Sequence, residues 1–193
     1  MKIEISESKK DNVMVFSLKD SDLKFANLLR RTLIAGVPTV AIDLVTFYDN
    51  TSTIFDEYIS HRFGLIPIST PDKLKNEDEF FFVLDEKGPK KVYSGDLKPV
   101  NHSVKPALEN IPIITLLEDQ CLRLEAKAVV NTGKKHAKFQ ACASSYSVND
   151  KTGEISFKIE SFYQLPPKKL LLKALDVLEK DFSDLEAAVE KIK

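Results

Sequence analysis

The stretch from Phe25 to Pro67, FANLLRRTLIAGVPTVAIDLVTFYDNTSTIFDEYISHRFGLIP, decides the fold of this chain. It opens with apolar residues at helical spacing around two adjacent arginines, Arg30 and Arg31. Gly36 suits the position just past a helix end, and Pro38 prevents the helix from continuing. A run rich in β-branched residues follows. The stretch therefore predicts a helix that turns sharply into a strand.

The flanking sequence adds strands on both sides of this helix. Residues 2–6 and 13–18 alternate between apolar and polar types, which predicts a β-hairpin. Ser21 or Asp22 offers an N-cap for the arginine helix. The other predicted elements, in chain order, are a strand at 40–48, a short helix at 55–63, and strands at 80–84, 120–130 and 154–162.

The last predicted element is a long amphipathic helix that begins at Pro166-Pro167. Its length is about 25 residues, and its apolar residues recur at steps of four and three. These residues are Leu171, Leu175, Leu178, Phe182, Leu185, Val189 and Ile192. Periodicity leaves two alternatives open: the stripe lies wholly across its own domain, or part of it is left for a partner.

Composition excludes several classes of protein. The 43% hydrophobic content is ordinary for a globular chain, and the net charge of −1 provides no general attraction to nucleic acid or to acidic membranes. No apolar run approaches the roughly 20 residues needed to cross a bilayer, and MKIEISESKK lacks the apolar core of a secretion signal. With only Cys121 and Cys142, a disulfide framework is not expected. Both cysteines are expected to be buried free thiols. These features together predict a cytoplasmic protein.

Candidate catalytic groups are sparse. Glu57 and His61 share a helix face and could both touch a metal, but no third ligand is near them in sequence. Ser94-Gly95-Asp96-Leu97 lacks the GxSxG frame of a nucleophile turn. The basic cluster Lys134–Lys138 is compatible with phosphate, with an acidic protein patch, or with a solvated strand end. The sequence predicts no catalytic residue and no metal site.

Six ordered blocks carry a family resemblance. They span residues 25–33, 37–43, 48–52, 56–67, 93–97 and 136–140, and the long helix follows them. In this order they resemble the assembly subunits of DNA-directed RNA polymerases, a family that includes the archaeal D-type proteins, the eukaryotic third-largest subunit and the bacterial alpha N-terminal domain. The resemblance is closest to the archaeal members.

The resemblance implies an α+β fold in two parts. Residues 1–44 and 151–193 would form a discontinuous, alpha-like dimerisation domain, an antiparallel sheet with two helices. Residues 45–150 would form an inserted domain that is mostly β and rich in loops. Some relatives carry an iron–sulfur module, but such a cluster needs about four thiolates. With two cysteines, this chain is expected to bind no cluster and no other cofactor.

The resemblance also implies partners within the nucleotidyltransferase complex. The dimerisation domain would pair with a smaller alpha-like subunit, L. The second-largest catalytic subunit and the small subunits N and P would dock on this platform, and DNA would be met only through the complex. The predicted interface consists of Phe25, Leu28, Leu29, Arg30, Arg31, Leu33, Leu171, Leu175, Leu178, Phe182 and Leu185. Arg30 and Arg31 point about 100° apart on a helix, so both cannot face the same apolar partner. The resemblance implies that at least one of them meets the second-largest subunit. The alternative is two solvated surface arginines.

Two rival functions remain from the sequence. One is a homodimeric alpha-like interaction module without polymerase partners. The other is a metal enzyme built on Glu57 and His61. The leading prediction is a non-catalytic assembly subunit of an archaeal RNA polymerase.

Overall fold

The computed structural model describes residues 2–6, 10–75, 77–100 and 103–192, and these residues form an α+β fold with antiparallel strand pairing throughout. The predicted fold class is thereby confirmed. The helices are α1 (Leu23–Ala35), α2 (Asp56–Gly64) and α3 (Pro167–Glu190). The strands are β1 (Lys2–Ser6), β2 (Val13–Lys19), β3 (Thr39–Asn50), β4 (Glu79–Lys87), β5 (Lys90–Tyr93), β6 (Lys98–Val100), β7 (Pro112–Leu116), β8 (Cys121–Asn131), β9 (Cys142–Val148) and β10 (Ile155–Ser161).

The chain divides into two compact units. The first unit comprises residues 1–38 and 132–193, and the second comprises residues 39–131. The boundaries expected from the family resemblance lie at 44/45 and 150/151 instead. The difference follows from strand pairing, because β3 pairs with β8 inside the second unit and β9 pairs with β10 inside the first.

The first unit is a four-stranded sheet with strand order β1-β2-β10-β9, and α1 and α3 pack on it and on each other. Strand β2 alternates between buried and half-buried residues, as expected for a sheet with one covered face. Phe16 and Phe157 stack at the centre of the core with their ring centroids 5.0 Å apart. This core fixes the two helices whose outer faces are predicted to bind a partner.

The second unit contains a four-stranded sheet with strand order β3-β8-β4-β6 and a two-stranded sheet of β5 and β7. Helix α2 contacts β3 and β7. Phe82 and Leu84 on β4 and the alternate residues of β8 fill the core. Among the described residues, no helix is long and apolar enough to cross a membrane.

Candidate partner-binding surface

Helix α1 is positioned by its caps and by one apolar face. The Asp22 side chain accepts a hydrogen bond from the backbone N–H of Lys24 at 3.1 Å, so Asp22 is the N-cap. Ala26, Leu29 and Leu33 lie three and four residues apart and are all buried in the core of the first unit. These side chains attach α1 to its own sheet, so they are not free to contact another chain.

Helix α3 has a packed half and a bare half. Leu170, Ala174 and Leu178 are buried against the core, but every described residue from 179 to 192 is exposed. The exposed helical part, residues 179–190, is about 18 Å long at 1.5 Å per residue. It therefore extends past the apolar core of its own unit.

An apolar stripe runs along this bare half of α3. Phe182, Leu185 and Val189 lie at steps of three and four and are 57%, 60% and 57% exposed. A step of three or four residues keeps side chains on one helix face. We call Phe182, Leu185 and Val189 the α3 stripe. It is the part of the predicted helix that lacks a covering layer within the described chain.

Strand β1 carries two further exposed apolar side chains. The sequence pattern predicts a hairpin here but does not predict that these side chains are exposed. Ile3 lies opposite Leu18 and Ile5 lies opposite Phe16 in the antiparallel register. Residues directly opposite each other point to the same face. Leu18 and Phe16 are 1% exposed, whereas Ile3 and Ile5 are 49% and 65% exposed. The position of β1 at the sheet edge is the only signal that could have indicated this.

The predicted interface residues separate into three groups by burial. Those in the core of the first unit are Leu29, Leu33, Leu171 and Leu178. Those that are half-buried are Phe25, Arg30 and Leu175. Those that are exposed are Leu28, Arg31, Phe182 and Leu185. The side chains of the first group already pack inside their own unit, whereas the expectation assigned all eleven residues to the partner interface. That interface stays a prediction.

Arg30 and Arg31 both line a surface cavity of about 370 Å³ beside α1 and α3. An Nη2 of Arg30 donates to Asn27 Oδ1 at 3.0 Å, while Arg31 is exposed. Lys134 and Asp181 also line this cavity. The lining of this cavity is therefore predominantly cationic, with one carboxylate.

The sequence candidate for a nucleophile turn has a structural role. The Ser94 hydroxyl donates to the Leu108 carbonyl at 2.6 Å and accepts from the Ile111 N–H at 3.1 Å. Asp96 accepts from the Tyr93 N–H at 2.7 Å and pairs with Lys90 at 2.9 Å. Burial opposes ionisation of Asp96, but that N–H and the ammonium of Lys90 hold its pKa below the usual value. These contacts hold the turn in place.

The remaining glutamate, histidine and cysteine candidates are either exposed on the surface or make local structural contacts. Glu57 and His61 are exposed on α2, and no group of three metal-binding side chains lies together in the described part of the chain. His136 Nδ1 accepts from the Lys138 N–H at 3.1 Å and caps a short 3₁₀ turn. Cys142 is buried as predicted, whereas Cys121 is only half-buried, and its thiol lies 3.1 Å from Asp49 Oδ2.

Comparison with known proteins places the chain in a family. Residues 42–148 match the family described as the RNA polymerase Rpb3/RpoA insert domain. The chain is 40% identical over 181 residues to DNA-directed RNA polymerase subunit Rpo3 of Methanocaldococcus jannaschii, and the match covers 92% of both chains. It is 45% identical over 147 residues to subunit Rpo3 of Pyrococcus furiosus, and this match covers 72% of this chain and 56% of the relative. The predicted resemblance to archaeal RNA polymerase subunits is thereby confirmed, and the chain belongs to the Rpb3/RpoA family of DNA-directed RNA polymerase subunits, among the archaeal Rpo3 proteins.

Proposed function

We propose that this chain is a non-catalytic assembly subunit, which pairs with a smaller alpha-like subunit (L) and forms with it the platform for the large catalytic subunits. The observation that carries the proposal is the α3 stripe on a helix that extends beyond its own core. Fully burying an apolar side chain of this size contributes about 1.5–3 kcal/mol. Three such side chains on one helix face supply an apolar centre for a dimer interface.

The fold of the first unit supports pairing with a subunit of similar architecture. Helices α1 and α3 pack on the same sheet and on each other, so a related helix pair could cover the α3 stripe from outside. Leu28 and Ile3 add exposed apolar surface within the same unit. The buried residues Leu29 and Leu33 act indirectly, since they hold α1 in place.

The second-largest catalytic subunit is the proposed partner of the arginines. Arg31 is exposed and presents a planar guanidinium that can bind a carboxylate or backbone carbonyls with two parallel hydrogen bonds. Arg30 is already hydrogen-bonded to Asn27, which fixes its direction. We assign the larger share of the contact to Arg31. The small subunits N and P would join the same platform, and DNA would be reached only through the complex.

Co-expression with the smaller subunit of a related archaeal polymerase tests the proposal. Leu185→Asp places a charge in the α3 stripe, and we expect at least a tenfold loss of pairing, which corresponds to about 1.4 kcal/mol. Ala187→Asp is the matched control, because residue 187 points about 200° away from residue 185 on the helix. It should pair like the unmodified chain.

The outcomes separate the proposal from its rival. Equal pairing by Leu185→Asp and Ala187→Asp would reject the α3 stripe as the interface. A homodimer that persists in the presence of the smaller subunit would favour a self-sufficient alpha-like module. Because Leu185 is 60% exposed, its replacement should leave the thermal unfolding midpoint of the isolated chain unchanged, and this excludes misfolding as the cause.

A further inference from the structure

A groove beside α2, in the second unit, is the strongest unassigned feature. Its volume is about 320 Å³. It is lined by Tyr58, His61, Arg62, Leu65, Ile66, Ile111 and Ile113. Tyr58 and Leu65 are 53% and 58% exposed, and the neighbouring Phe55 is 79% exposed. The motif DEYISHRFGLIP thus forms one wall of an apolar groove whose rim carries large exposed apolar side chains.

Arg62 gives this groove its charge. The guanidinium is half-buried and donates from Nη2 to the Pro112 carbonyl oxygen, which fixes its position. Its Nε is buried without a hydrogen-bond partner. Among the described residues no carboxylate forms an ion pair with Arg62. A partly buried guanidinium without a carboxylate retains hydrogen-bonding capacity that a bound group can use.

The lining decides what chemistry fits. It contains aliphatic side chains, one tyrosine, one histidine and one arginine, and no acidic residue. An apolar side chain would cover Ile66 and Ile113, and a neighbouring carboxylate would meet the fixed guanidinium of Arg62. A partner with basic residues at this point would leave two like charges together, which is unfavourable.

We propose that this groove binds a short apolar protein segment that carries an acidic residue, supplied by another subunit of the polymerase. The inference deepens the proposed function and rests on it for the source of the segment. The apolar side chain would provide the contact area, and the carboxylate on Arg62 would fix the register. The groove lies in the second unit, whereas the α3 stripe lies in the first, so one chain would present two docking surfaces.

Methyl NMR on the whole 193-residue chain tests this with a defined probe. The groove contains three isoleucines whose δ1 methyl signals report directly on occupancy, and Ile155 and Ile159 in the other unit serve as internal controls. The probe is the capped peptide acetyl-Leu-Asp-Leu-amide, compared with acetyl-Leu-Asn-Leu-amide. We expect saturable shifts of the Ile66, Ile111 and Ile113 signals. The Asp peptide should bind about tenfold more tightly than the Asn peptide, equivalent to about 1.4 kcal/mol.

Three variants establish whether Arg62 is responsible. Arg62→Gln should abolish the preference for the Asp peptide, and Arg62→Lys, which keeps the charge without the fork, should retain part of it. Arg123→Gln removes an exposed arginine elsewhere in the same unit and should bind like the unmodified chain.

Several results would overturn the inference. These are no shift at about 10 mM peptide, equal affinity for both peptides, an unchanged preference in Arg62→Gln, or identical shifts with inorganic phosphate. The titration uses no other polymerase subunit. Its failure would therefore reject the groove while leaving the α3 stripe untouched. Pairing by Leu185→Asp that equals pairing by Ala187→Asp would do the reverse.

Discussion

Tyr163 occupies a backbone conformation that suits glycine rather than tyrosine. Its φ is 74°, in the left-handed region, where a Cβ crowds the following carbonyl. The surrounding turn enforces this conformation, because the buried Ser161 hydroxyl accepts from the Tyr163 N–H at 2.9 Å and donates to the Leu165 carbonyl at 2.5 Å. The turn joins β10 to α3, so this strained residue helps to set where α3 begins.

We therefore expect an inverted order of stability at this position. Tyr163→Gly should be more stable than Tyr163→Ala by about 1 kcal/mol, because only glycine adopts this φ without strain. Phe162, the residue before Tyr163, lies outside the left-handed region and is the matched position. There the alanine variant should be at least as stable as the glycine variant. Urea unfolding of the four variants measures both differences. The same order at both positions would contradict the strain at Tyr163.

Cys142 links stability to alkaline pH. Burial raises the pKa of its thiol from 9.0 to about 12, and the thiol donates to the Leu33 carbonyl at 3.3 Å. Because the pKa is higher in the folded state, the contribution of this thiol to stability is complete below about pH 9 and is lost as the pH rises toward 12.

The free energy of unfolding should accordingly fall between pH 9 and about pH 12, by at most about 1.4 kcal/mol per pH unit from this thiol. Cys142→Ala should show a smaller slope over that range, measured by urea unfolding at several pH values. Other groups titrate in the same range, so the difference between the two proteins is the relevant quantity. Parallel curves would show that Cys142 is not the source.

At the scale of elements, α1 and α3 use leucine for two different purposes. Leu33 is fully buried in the core of the first unit, whereas Leu185 belongs to the α3 stripe and is 60% exposed. Both fall on the apolar stripe of their helix in the sequence. Only the packing on β9, β10 and β2 separates them.

Alanine substitutions should separate these purposes in the isolated chain. Leu33→Ala should lower the free energy of unfolding by about 2–5 kcal/mol, because it removes a packed side chain and leaves a cavity. Leu185→Ala should change it by no more than about 0.5 kcal/mol. Chemical denaturation measures both. A large loss of stability in Leu185→Ala would mean that the α3 stripe is part of the chain's own core.

The elements themselves are largely predictable from the sequence, and their packing partners are not. The period of α3 predicts a helix of about 25 residues, and 24 are observed. The cap at Asp22 and the helix end at Gly36 also follow from residue types. Periodicity reports which face of a helix is apolar but not how far its own sheet extends beneath it. The interface expected from the family resemblance includes Leu171 and Leu178, which lie in the core of the first unit.

At the scale of the whole molecule, the order of sequence blocks identifies the family, whereas the limits of the units require strand pairing. The predicted inserted domain spans residues 45–150, but β9 forms a hairpin with β10. Strand β10 in turn pairs with β2 near the start of the chain, a long-range contact that local sequence does not reveal. The groove beside α2 could not be predicted from the sequence because its walls come from distant segments of the chain. Its two walls come from α2 with the residues after it and from the segment 111–113, about 50 residues later.

Two proposed docking surfaces on separate units suit the proposed role of joining other chains. The α3 stripe is apolar and belongs to the first unit, while the groove beside α2 combines apolar walls with the Arg62 cation and belongs to the second. Within the described residues, the serine, histidine and cysteine candidates show local structural contacts or surface exposure rather than a reactive cluster. Pairing is thus the property on which the proposed role depends.

Native mass spectrometry of the chain co-expressed with the smaller alpha-like subunit tests that pairing most directly. We predict a one-to-one heterodimer that persists at submicromolar concentration. Hydrogen–deuterium exchange of the same sample should show that the amides of residues 179–190 exchange more slowly than in the isolated chain. A homodimer that excludes the smaller subunit, or a heterodimer in which those amides exchange at the same rate as in the isolated chain, would contradict the proposal that α3 forms the assembly interface.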